Sequence, residues 1–405
     1  MPPYLSPGVY VEEVPSAVRP ISGVGTSIAG FIGVAAEIKG PWKPDDKAGM
    51  PLRPNGEVYV QADELVPQPI NSWTEFTQAF GDLQVANQYL AHAVYGFFNN
   101  GGSRCWVVRI AEPIATNLDQ ALRRFETIDE IAIVAAPLPP DTVAASLTAA
   151  QTRLIAHCEN MKDRVAILDS RDFTTDGPAV TAQNIGRPTS VKGYGAFYFP
   201  WIEVADPLGE AADARIAIPP SGHLAGVYAR SDAERGVHKA PANEVLRGAL
   251  EVRYPVSKSL QDVLNPAGIN CIRSFGSTIK VYGARTLASD SAGDPEWTYV
   301  NVRRLVNFIR ESIDEGTQWV VFEPNAPDLW SKIRRNVGAF LNGVWASGAL
   351  LGATADQAYY VRCDETTNPP AVRELGQVVT EIGIAIVRPA EFVIFRLSQW
   401  AGPGQ

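Results

Sequence analysis

The sequence predicts a mixed α/β fold, and three observations lead to this prediction. Hydrophobic residues make up 46% of the 405 residues and charged residues 20%, which is typical of a globular protein. Short apolar runs alternate with segments of helical spacing through the middle of the chain. Two amphipathic helices follow in the last third. Because strands that alternate with helices form helix-covered parallel sheets, we expect an α/β architecture, with two or three modules for this length.

The first third is predicted to contain two strands and two helices before a third strand. A strand over residues 8–14 lies between prolines, a buried strand over 28–34 follows a glycine-rich lead, and 41–70 form a surface loop. Ser72 begins a helix, with Glu75 at the capping-box position. A second helix over 89–98 ends at an Asn-Asn-Gly-Gly stop signal, and the strand 105–110 follows.

The middle of the chain shows the β-α-β alternation most clearly. The predicted elements are, in order, a strand over 131–134, a helix over 142–158, and strands over 165–168 and 196–199.

The last third is predicted to contain two helices and several short strands. Apolar residues recur at helical spacing from Val302 to Ile313 and again from Leu329 to Val344, and Gly316 is expected to end the first helix. The uncharged stretch 337–355, with a Gly-x-x-x-Gly spacing, favours a buried core helix over a membrane span. Short strands are expected over 319–322, 359–361 and 382–387. Pro389 separates them from a last strand expected over 392–397.

Composition and charge exclude several function classes. The net charge is −9 and lysines and arginines form no block, so we expect no nucleic-acid partner. The four cysteines are far apart, which favours buried thiols over a zinc site or a disulfide framework. The first residues lack the order of a signal peptide, so assembly in the cytoplasm and no direct membrane insertion are predicted.

Motifs for cofactors and metals are missing. The glycine-rich segment 23–30 has the wrong spacing for a phosphate loop and precedes a strand, so it is interpreted as a flexible linker. No two of the four histidines share the i, i+4 spacing of a metal site on a helix. We therefore expect no cofactor and no metal.

One enzymatic alternative stays open. Asp169 follows a predicted strand, where active sites of open α/β sheets lie, although with Asp172 and Asp176 a solvated loop is the simpler interpretation. Ser221-Gly222-His223 is assigned to a turn, because the pattern of a nucleophile elbow is incomplete. The alternative is an α/β hydrolase or transferase that uses Asp169 and His223 near strand ends.

The two terminal strands raise the question of which sheet they join. A lone strand leaves its backbone groups unpaired, so each must pair with the chain's own sheet or with the sheet of a neighbouring subunit. The residues alone leave both possibilities open.

Several segments, taken in order along the chain, carry a resemblance to a known family. They are YLSPGVYVEEV followed by GTSIAGFIG at the start, then SWTEF and FFNNGG, and later VYGARTL, WTYVNVRR and FEPN. In this order and combination they resemble contractile tail sheath proteins, and the likeness extends over nearly the whole chain.

The resemblance implies a structural protein without enzymatic activity. Such subunits stack as hexameric rings around an inner tube and contract from a metastable extended state. Membership implies an N-terminal arm over 1–20, an outer α/β domain over 21–255, an inner tube-facing domain over 256–388 and a C-terminal arm over 389–405. It also implies that both arms donate strands to other subunits, through Val9, Tyr10, Val11, Glu12, Val14, Phe392, Val393, Ile394, Phe395 and Leu397.

The resemblance also implies partners. These are other copies of the chain, an inner tube protein, baseplate and terminal cap proteins, and possible sister sheath proteins in a phage tail or phage-tail-like particle. The basic face with Lys332, Arg334 and Arg335 is the candidate tube contact, with an ordinary solvated face as the alternative. A baseplate or capsid component would share this assembly logic without forming long tubes.

Overall fold

The computed structural model describes residues 20–35, 62–111, 113–140, 144–289 and 293–394. By packing, the chain divides into a large unit, Val24–Glu311 with Ile386–Gln405, and a small unit, Met1–Gly23 with Ser312–Ala385. The division predicted from the sequence, at residues 255/256 and 388/389, stays a prediction.

The large unit contains a broad mixed sheet flanked by helices. Its strands are β1 Ala29–Val34, β2 Gln68–Ile70, β3 Cys105–Ile110, β4 Ile133–Ala135, β5 Val165–Asp169, β6 Gly195–Phe199, β7 Ile202–Ala205, β8 Arg215–Ile218, β9 Glu244–Val245, β10 Glu251–Val252, β11 Ile269–Phe275 and β12 Thr278–Val281. Its helices are α1 Trp73–Phe80, α2 Gln88–Asn99, α3 Ile114–Phe125, α4 Ala144–Met161, α5 Ser221–Arg235, α6 Lys258–Leu264 and the first part of α7 Val300–Thr317.

The main sheet has nine strands in the order β2-β3-β1-β4-β5-β6-β11-β12-β9. The strands from β3 to β11 in this order run parallel, with Phe31 of β1 opposite Val107 on one side and Ala135 on the other. β2, β12 and β9 close the edges in antiparallel pairing. β10, β7 and β8 form a separate antiparallel sheet. The α/β fold class is thereby confirmed.

The parallel strands are buried on both faces, which explains their nearly continuous apolar sequences. Successive side chains alternate between two cores: Phe31 packs in the core with α1, α2 and α5, and Ile32 in the core with α3 and α4. On β3, Val107 likewise packs in the first core and Val108 in the second. Burying a side chain of this size contributes about 1.5–3 kcal/mol, so the two cores hold the sheet together.

The small unit is mainly helical. It contains the end of α7, then α8 Pro327–Ala346, α9 Ala355–Ala358, β13 Tyr359–Arg362, α10 Pro370–Glu374 and β14 Glu381–Ile384. β13 and β14 pair antiparallel, with Tyr359 opposite Ile384. The buried stripe of α8 is formed by Leu329, Trp330, Ile333, Asn336, Val337, Leu341 and Val344. Short 3-10 helices lie at Asn265–Ala267, Leu287–Ser289, Pro295–Trp297 and Gln318–Val320.

Most predicted elements lie within a few residues of their predicted bounds. The Ser72 side chain accepts a hydrogen bond from the Glu75 N–H at 3.2 Å, as expected of a helix cap. The Glu75 carboxylate, however, accepts from the Asn71 N–H at 2.8 Å, so the reciprocal half of the capping box reaches one residue further back.

Three interpretations of local structure were wrong in the small unit. Residues 319–322 do not form a strand: a 3-10 helix covers Gln318–Val320, and Phe322 follows with a φ of 68°. The core helix predicted over 337–355 ends at Ala346, because Gly348 takes a φ of 83° that ends the helix. Gly316 does not end α7, which continues to Thr317.

Three further interpretations were wrong in the large unit. The surface loop predicted over 41–70 ends in a strand, Gln68–Ile70, which pairs antiparallel with β3 and buries Ile70. Ser221-Gly222-His223 does not lie in a loop turn but begins helix α5. The Ser221 N–H donates to the buried Asp169 carboxylate at 2.8 Å. The glycine-rich lead is not a free linker: the Thr26 hydroxyl donates to Asp232 at 2.6 Å, and Arg304 donates to the Thr26 carbonyl.

No helix in the described part of the chain is long and apolar enough to span a membrane.

Candidate functional site

A carboxylate-binding cluster around Glu391 holds the C-terminal segment against the large unit. The Arg285 guanidinium donates to both Glu391 oxygens, through Nε at 2.8 and 3.1 Å and through Nη2 at 2.7 Å. Asn265 donates to Oε1 at 2.7 Å, and the Tyr299 hydroxyl donates to Oε2 at 2.9 Å. Glu391 lies within the arm predicted over 389–405, so these contacts fix the chain immediately before the strand predicted over 392–397.

The cluster is held in place by the backbone around Arg285. Arg285 and Tyr299 face each other in an antiparallel β-bridge. The buried Asn270 side chain on β11 accepts from the Arg285 N–H and donates to the Arg285 carbonyl, both at 2.7 Å. The guanidinium therefore reaches Glu391 from a fixed position, which lowers the entropy lost on forming the ion pair.

The pKa values in the cluster reflect this arrangement. Burial alone raises the pKa of the Glu391 carboxyl, but hydrogen bonds from Arg285, Asn265 and Tyr299 outweigh it and hold the pKa below its ordinary value. Burial, followed by the hydrogen bond to Glu391, raises the pKa of Tyr299. Glu391 is therefore an anion at neutral pH and Tyr299 a neutral donor to it.

The three residues that follow Glu391 are apolar and exposed. Phe392, Val393 and Ile394 are 71, 70 and 77% exposed, and the structure assigns them to no strand of this chain. The other predicted arm residues, Phe395, Leu397, Val9, Tyr10, Val11, Glu12 and Val14, lie outside the described residues. Donation of either arm to another subunit stays a prediction.

The three basic residues predicted on one face of α8 differ in whether they bind other residues of this chain. Lys332 pairs with Asp328 one turn earlier, at 2.7 Å. Arg334 donates to the Cys363 carbonyl and to the Ser331 hydroxyl. Arg335 is exposed. Arg335 is therefore the side chain of this face best placed to meet an outside partner.

The two residues of the enzymatic alternative do not share a cavity. A depression of about 450 Å³ at the ends of β4, β5 and β6 is lined by Asp169, Arg171, Phe173 and Trp201, and His223 is not among its lining residues. His223 lies buried against Gly96, and a Cβ built on that glycine would lie 2.1 Å from its Nδ1. It is therefore a packing residue at the crossing of α2 and α5.

The titration of these two residues follows from burial. Burial raises the pKa of Asp169 to about 7, although the Ser221 hydrogen bonds oppose it. Burial lowers the pKa of His223 to about 3, with a smaller effect from His92. Asp169 is thus not part of a solvated loop, as the sequence suggested, whereas Asp172 pairs with Arg253 at 3.3 Å and Asp176 is exposed.

No group of three potential metal ligands occurs among the described residues. All four cysteines are buried free thiols. Burial raises the pKa of Cys105, Cys158 and Cys271, which makes these thiols poor nucleophiles.

Sequence reasoning missed the Glu391 cluster, because its members come from four separate parts of the chain. Two of them nevertheless lie in segments that carry the family resemblance, Arg285 in VYGARTL and Tyr299 in WTYVNVRR. The family resemblance of those two segments was the signal that could have pointed to the cluster.

Comparison with known proteins gives matches along most of the chain. The family model described as the phage tail sheath protein central domain matches residues 114–287, and that of the phage tail sheath C-terminal domain matches residues 292–399. A relative, the putative prophage major tail sheath protein of Pseudomonas aeruginosa (strain UCBPP-PA14), is 27% identical over 246 residues. That match covers 58% of this chain and 58% of the relative, so the chain spans less than two thirds of the relative's length.

Solved structures match over nearly the full length. A chain in the cryo-EM structure of the anti-feeding prophage helical sheath in contracted state is 30% identical with a TM-score of 0.74, covering 97% of this chain and 99% of that chain. A chain in the 6-fold symmetrised cryo-EM structure of the anti-feeding prophage baseplate is 30% identical with a TM-score of 0.73, again covering 97% and 99%.

Proposed function

Because the chain belongs to the contractile tail sheath family, we propose that it is the structural subunit of a contractile sheath that polymerises around an inner tube. The observation that carries this proposal is the likeness to a chain of a contracted helical sheath, which covers 97% of this chain and therefore both units. The chain acts through assembly and has no catalytic step.

The subunits stack as hexameric rings in an extended state and contract to drive the tube through a target envelope. The 6-fold symmetry of the similar baseplate structure supports this ring size and also supports a baseplate as partner. Contraction needs subunits that rotate and slide while they remain connected. Flexible links between rigid bodies satisfy that need.

The terminal segments supply these links as strands added to sheets of other copies. Phe392, Val393 and Ile394 support this assignment, because three consecutive exposed apolar side chains that pair with no strand among the described residues favour β-augmentation. The Glu391 cluster fixes where the segment leaves its own subunit. Force applied to the arm is then transmitted to the large unit, because the cluster keeps the preceding chain from detaching from that unit.

The inner tube is proposed to meet the basic face of α8, with Arg335 as its main contact. Replacement of Arg335 by Glu should reverse one charge per subunit and make sheaths release the tube at lower salt than the wild type. The matched control is Lys258→Glu, at an exposed position of α6 in the large unit. Microscopy of particles at increasing NaCl counts empty sheaths, and equal release by the two variants would contradict the Arg335 contact.

Cap proteins and sister sheath proteins complete the proposed set of partners, in a particle assembled in the cytoplasm. The separation of Asp169 from His223, which do not line the same cavity, favours a structural role over the enzymatic alternative. Nucleic acid and direct membrane insertion are not part of the proposal.

Electron microscopy of negatively stained lysate from producing cells tests the function. We expect striated cylinders that contain this chain, and deletion of residues 1–16 should leave folded subunits without cylinders. Small oligomers in place of cylinders would contradict the sheath function. Short rings or shells without long tubes would favour a baseplate or capsid component instead.

A further inference from the structure

The turn that follows the 3-10 helix Gln318–Val320 presents an unusual phenylalanine. Phe322 is fully exposed, and it has a φ of 68°, in the left-handed region that bulky L-residues rarely adopt. Val321 beside it is 58% exposed. The turn therefore keeps an unfavourable backbone conformation and an unfavourable apolar exposure at the same residue.

The surrounding contacts hold this turn in place. The Asn325 side chain donates to the Gln377 carbonyl at 2.8 Å and accepts from the Trp330 indole N–H at 2.8 Å. The Glu323 N–H donates back to the Val320 carbonyl at 3.1 Å. Backbone strain persists only where neighbouring contacts impose it, and such strain concentrates at functional positions.

The same contacts join this turn to a second exposed apolar residue. Gln377 lies two residues after Leu375, which is 73% exposed at the end of α10. Gly376, directly after Leu375, takes a φ of 68° and donates its N–H to the Arg373 carbonyl at 2.9 Å. The turn at the end of α10 is therefore also held by a hydrogen bond. Two hydrogen-bonded turns thus present Val321, Phe322 and Leu375 to the outside of the small unit.

We propose that this surface, the Phe322 patch of Val321, Phe322 and Leu375, is a contact between two copies of this chain in the assembled sheath. The proposal rests on the function proposed above and adds a specific surface to it, separate from the terminal arms. In the contact, the Phe322 ring and its neighbours lose their exposure to water, which offsets the cost of the left-handed turn.

A second copy is the occupant that the observations favour over the inner tube. The similar chain belongs to a helical sheath, and copies in a helical assembly must each offer a surface to their neighbours. Salt does not screen an apolar contact as it screens a charge pair, so an apolar contact suits neighbours that stay together through contraction. The tube must instead be released when the sheath widens, and the charged face of α8 fits that role better.

Site-specific photo-cross-linking in purified particles tests the proposal. Phe322→p-benzoylphenylalanine keeps an aromatic ring at the position, and irradiation should link one copy of this chain to another, as identified by mass spectrometry of the linked peptides. The matched control places the same probe at Val85, which is 77% exposed in the large unit. We expect the yield of linked copies to be at least tenfold higher at position 322 than at 85.

Other outcomes separate the possibilities. Cylinders that form normally but show links only to the tube protein, or no excess over the control, would overturn the Phe322 contact and leave the sheath function standing. If the wild type forms no cylinders, the sheath function fails and this contact fails with it.

A second variant guards against an effect through folding. Phe322→Gly removes the ring and relieves the left-handed strain, so the isolated subunit should melt at the same temperature as the wild type or higher, whereas cylinders should be lost. A lower melting temperature would identify Phe322 as a residue that stabilises the subunit itself, and intact cylinders would show that the contact is dispensable. Either result contradicts the proposal.

Discussion

Glu391 is the residue that fixes the C-terminal segment to the large unit. Its carboxylate accepts hydrogen bonds from Arg285, Asn265 and Tyr299, and both members of the Arg285 pair are largely buried. Glu391→Gln removes the charge and replaces one acceptor oxygen with an amide donor. We expect a loss of about 1–2 kcal/mol in the free energy of unfolding, measured by urea denaturation. The matched control is Glu381→Gln, which breaks an exposed pair with Arg362 and should cost less than about 0.5 kcal/mol.

The effect of Glu391→Gln should depend on pH with a defined sign. Because the folded state lowers the pKa of Glu391, its ionisation stabilises the protein above the pKa of the free carboxyl, ordinarily 4.5. This contribution is lost as the pH falls through the lowered pKa of the folded state. The difference in unfolding free energy between the wild type and the variant should therefore shrink in acid. A difference that stays constant down to pH 2 would contradict the carboxylate cluster.

Asp169 should produce the opposite pH dependence. Burial raises its pKa from 3.8 to about 7, so the folded state binds more protons than the unfolded state in this interval. The free energy of unfolding therefore falls as the pH rises from about 4 to about 7. Asp169→Asn keeps an oxygen acceptor for the Ser221 N–H and should remove this fall, so that the variant gains stability over the wild type, by at most about 4 kcal/mol at pH 8. Thermal melts at pH 5 and pH 8 measure the change.

The exposed Asp176, in the loop that follows β5, provides the control for Asp169. Asp176→Asn should follow the wild-type pH profile. Cylinders should still form with Asp169→Asn, because the buried residue supports the first turn of α5 and is not exposed to another copy. A variant that keeps the wild-type pH profile would contradict the assignment of a buried, protonatable carboxyl.

Among the elements, the C-terminal strand can be tested without disturbing the subunit. Val393 is 70% exposed beyond the Glu391 cluster, so its substitution should leave the melting temperature of the subunit unchanged. Val393→Pro removes the backbone N–H that a donated strand needs, and we expect it to abolish cylinders in electron micrographs. Val393→Thr keeps the N–H and the β-branched shape, and serves as the control. Cylinders of normal length with Val393→Pro would contradict strand donation by this segment.

The crossing of α2 and α5 depends on glycines. A Cβ built on Gly222 would lie 2.3 Å from the Ala93 Cα, which leaves no room for a side chain. Gly222→Ala should therefore lower the free energy of unfolding by about 1–3 kcal/mol through overpacking. Gly338 on α8 offers the control, since a Cβ there meets nothing within 4 Å. Gly338→Ala should raise stability by about 0.5–1 kcal/mol. Chemical denaturation compares the two, and equal effects would contradict the close crossing.

The strands of the main sheet could be predicted because their burial on both faces leaves a strong signal. Residues 29–34 and 165–169 are short apolar runs bounded by turn residues, as expected of central parallel strands. Residues 319–322 carry the same apolar signal, but there Val321 and Phe322 point outward from a turn. Composition alone does not distinguish an inward-facing run from an outward-facing one.

Contacts between distant segments explain most of what the sequence did not reveal. The first turn of α5 depends on Asp169, 52 residues earlier, and the Glu391 cluster depends on Arg285, 106 residues earlier. Local propensity contains no information on such pairs. The family resemblance supplied the function, because its motifs combine information from the whole chain.

At the scale of the whole molecule, we expect many copies to be joined to one another by their terminal segments. A helical cryo-EM reconstruction of particles that contain this chain tests that claim most directly. We expect an outer layer of 6-fold rings in which residues 392–397 of each copy continue a sheet of another copy. A reconstruction in which these residues pair with a sheet of their own copy, with no β-ladder between copies, would contradict it.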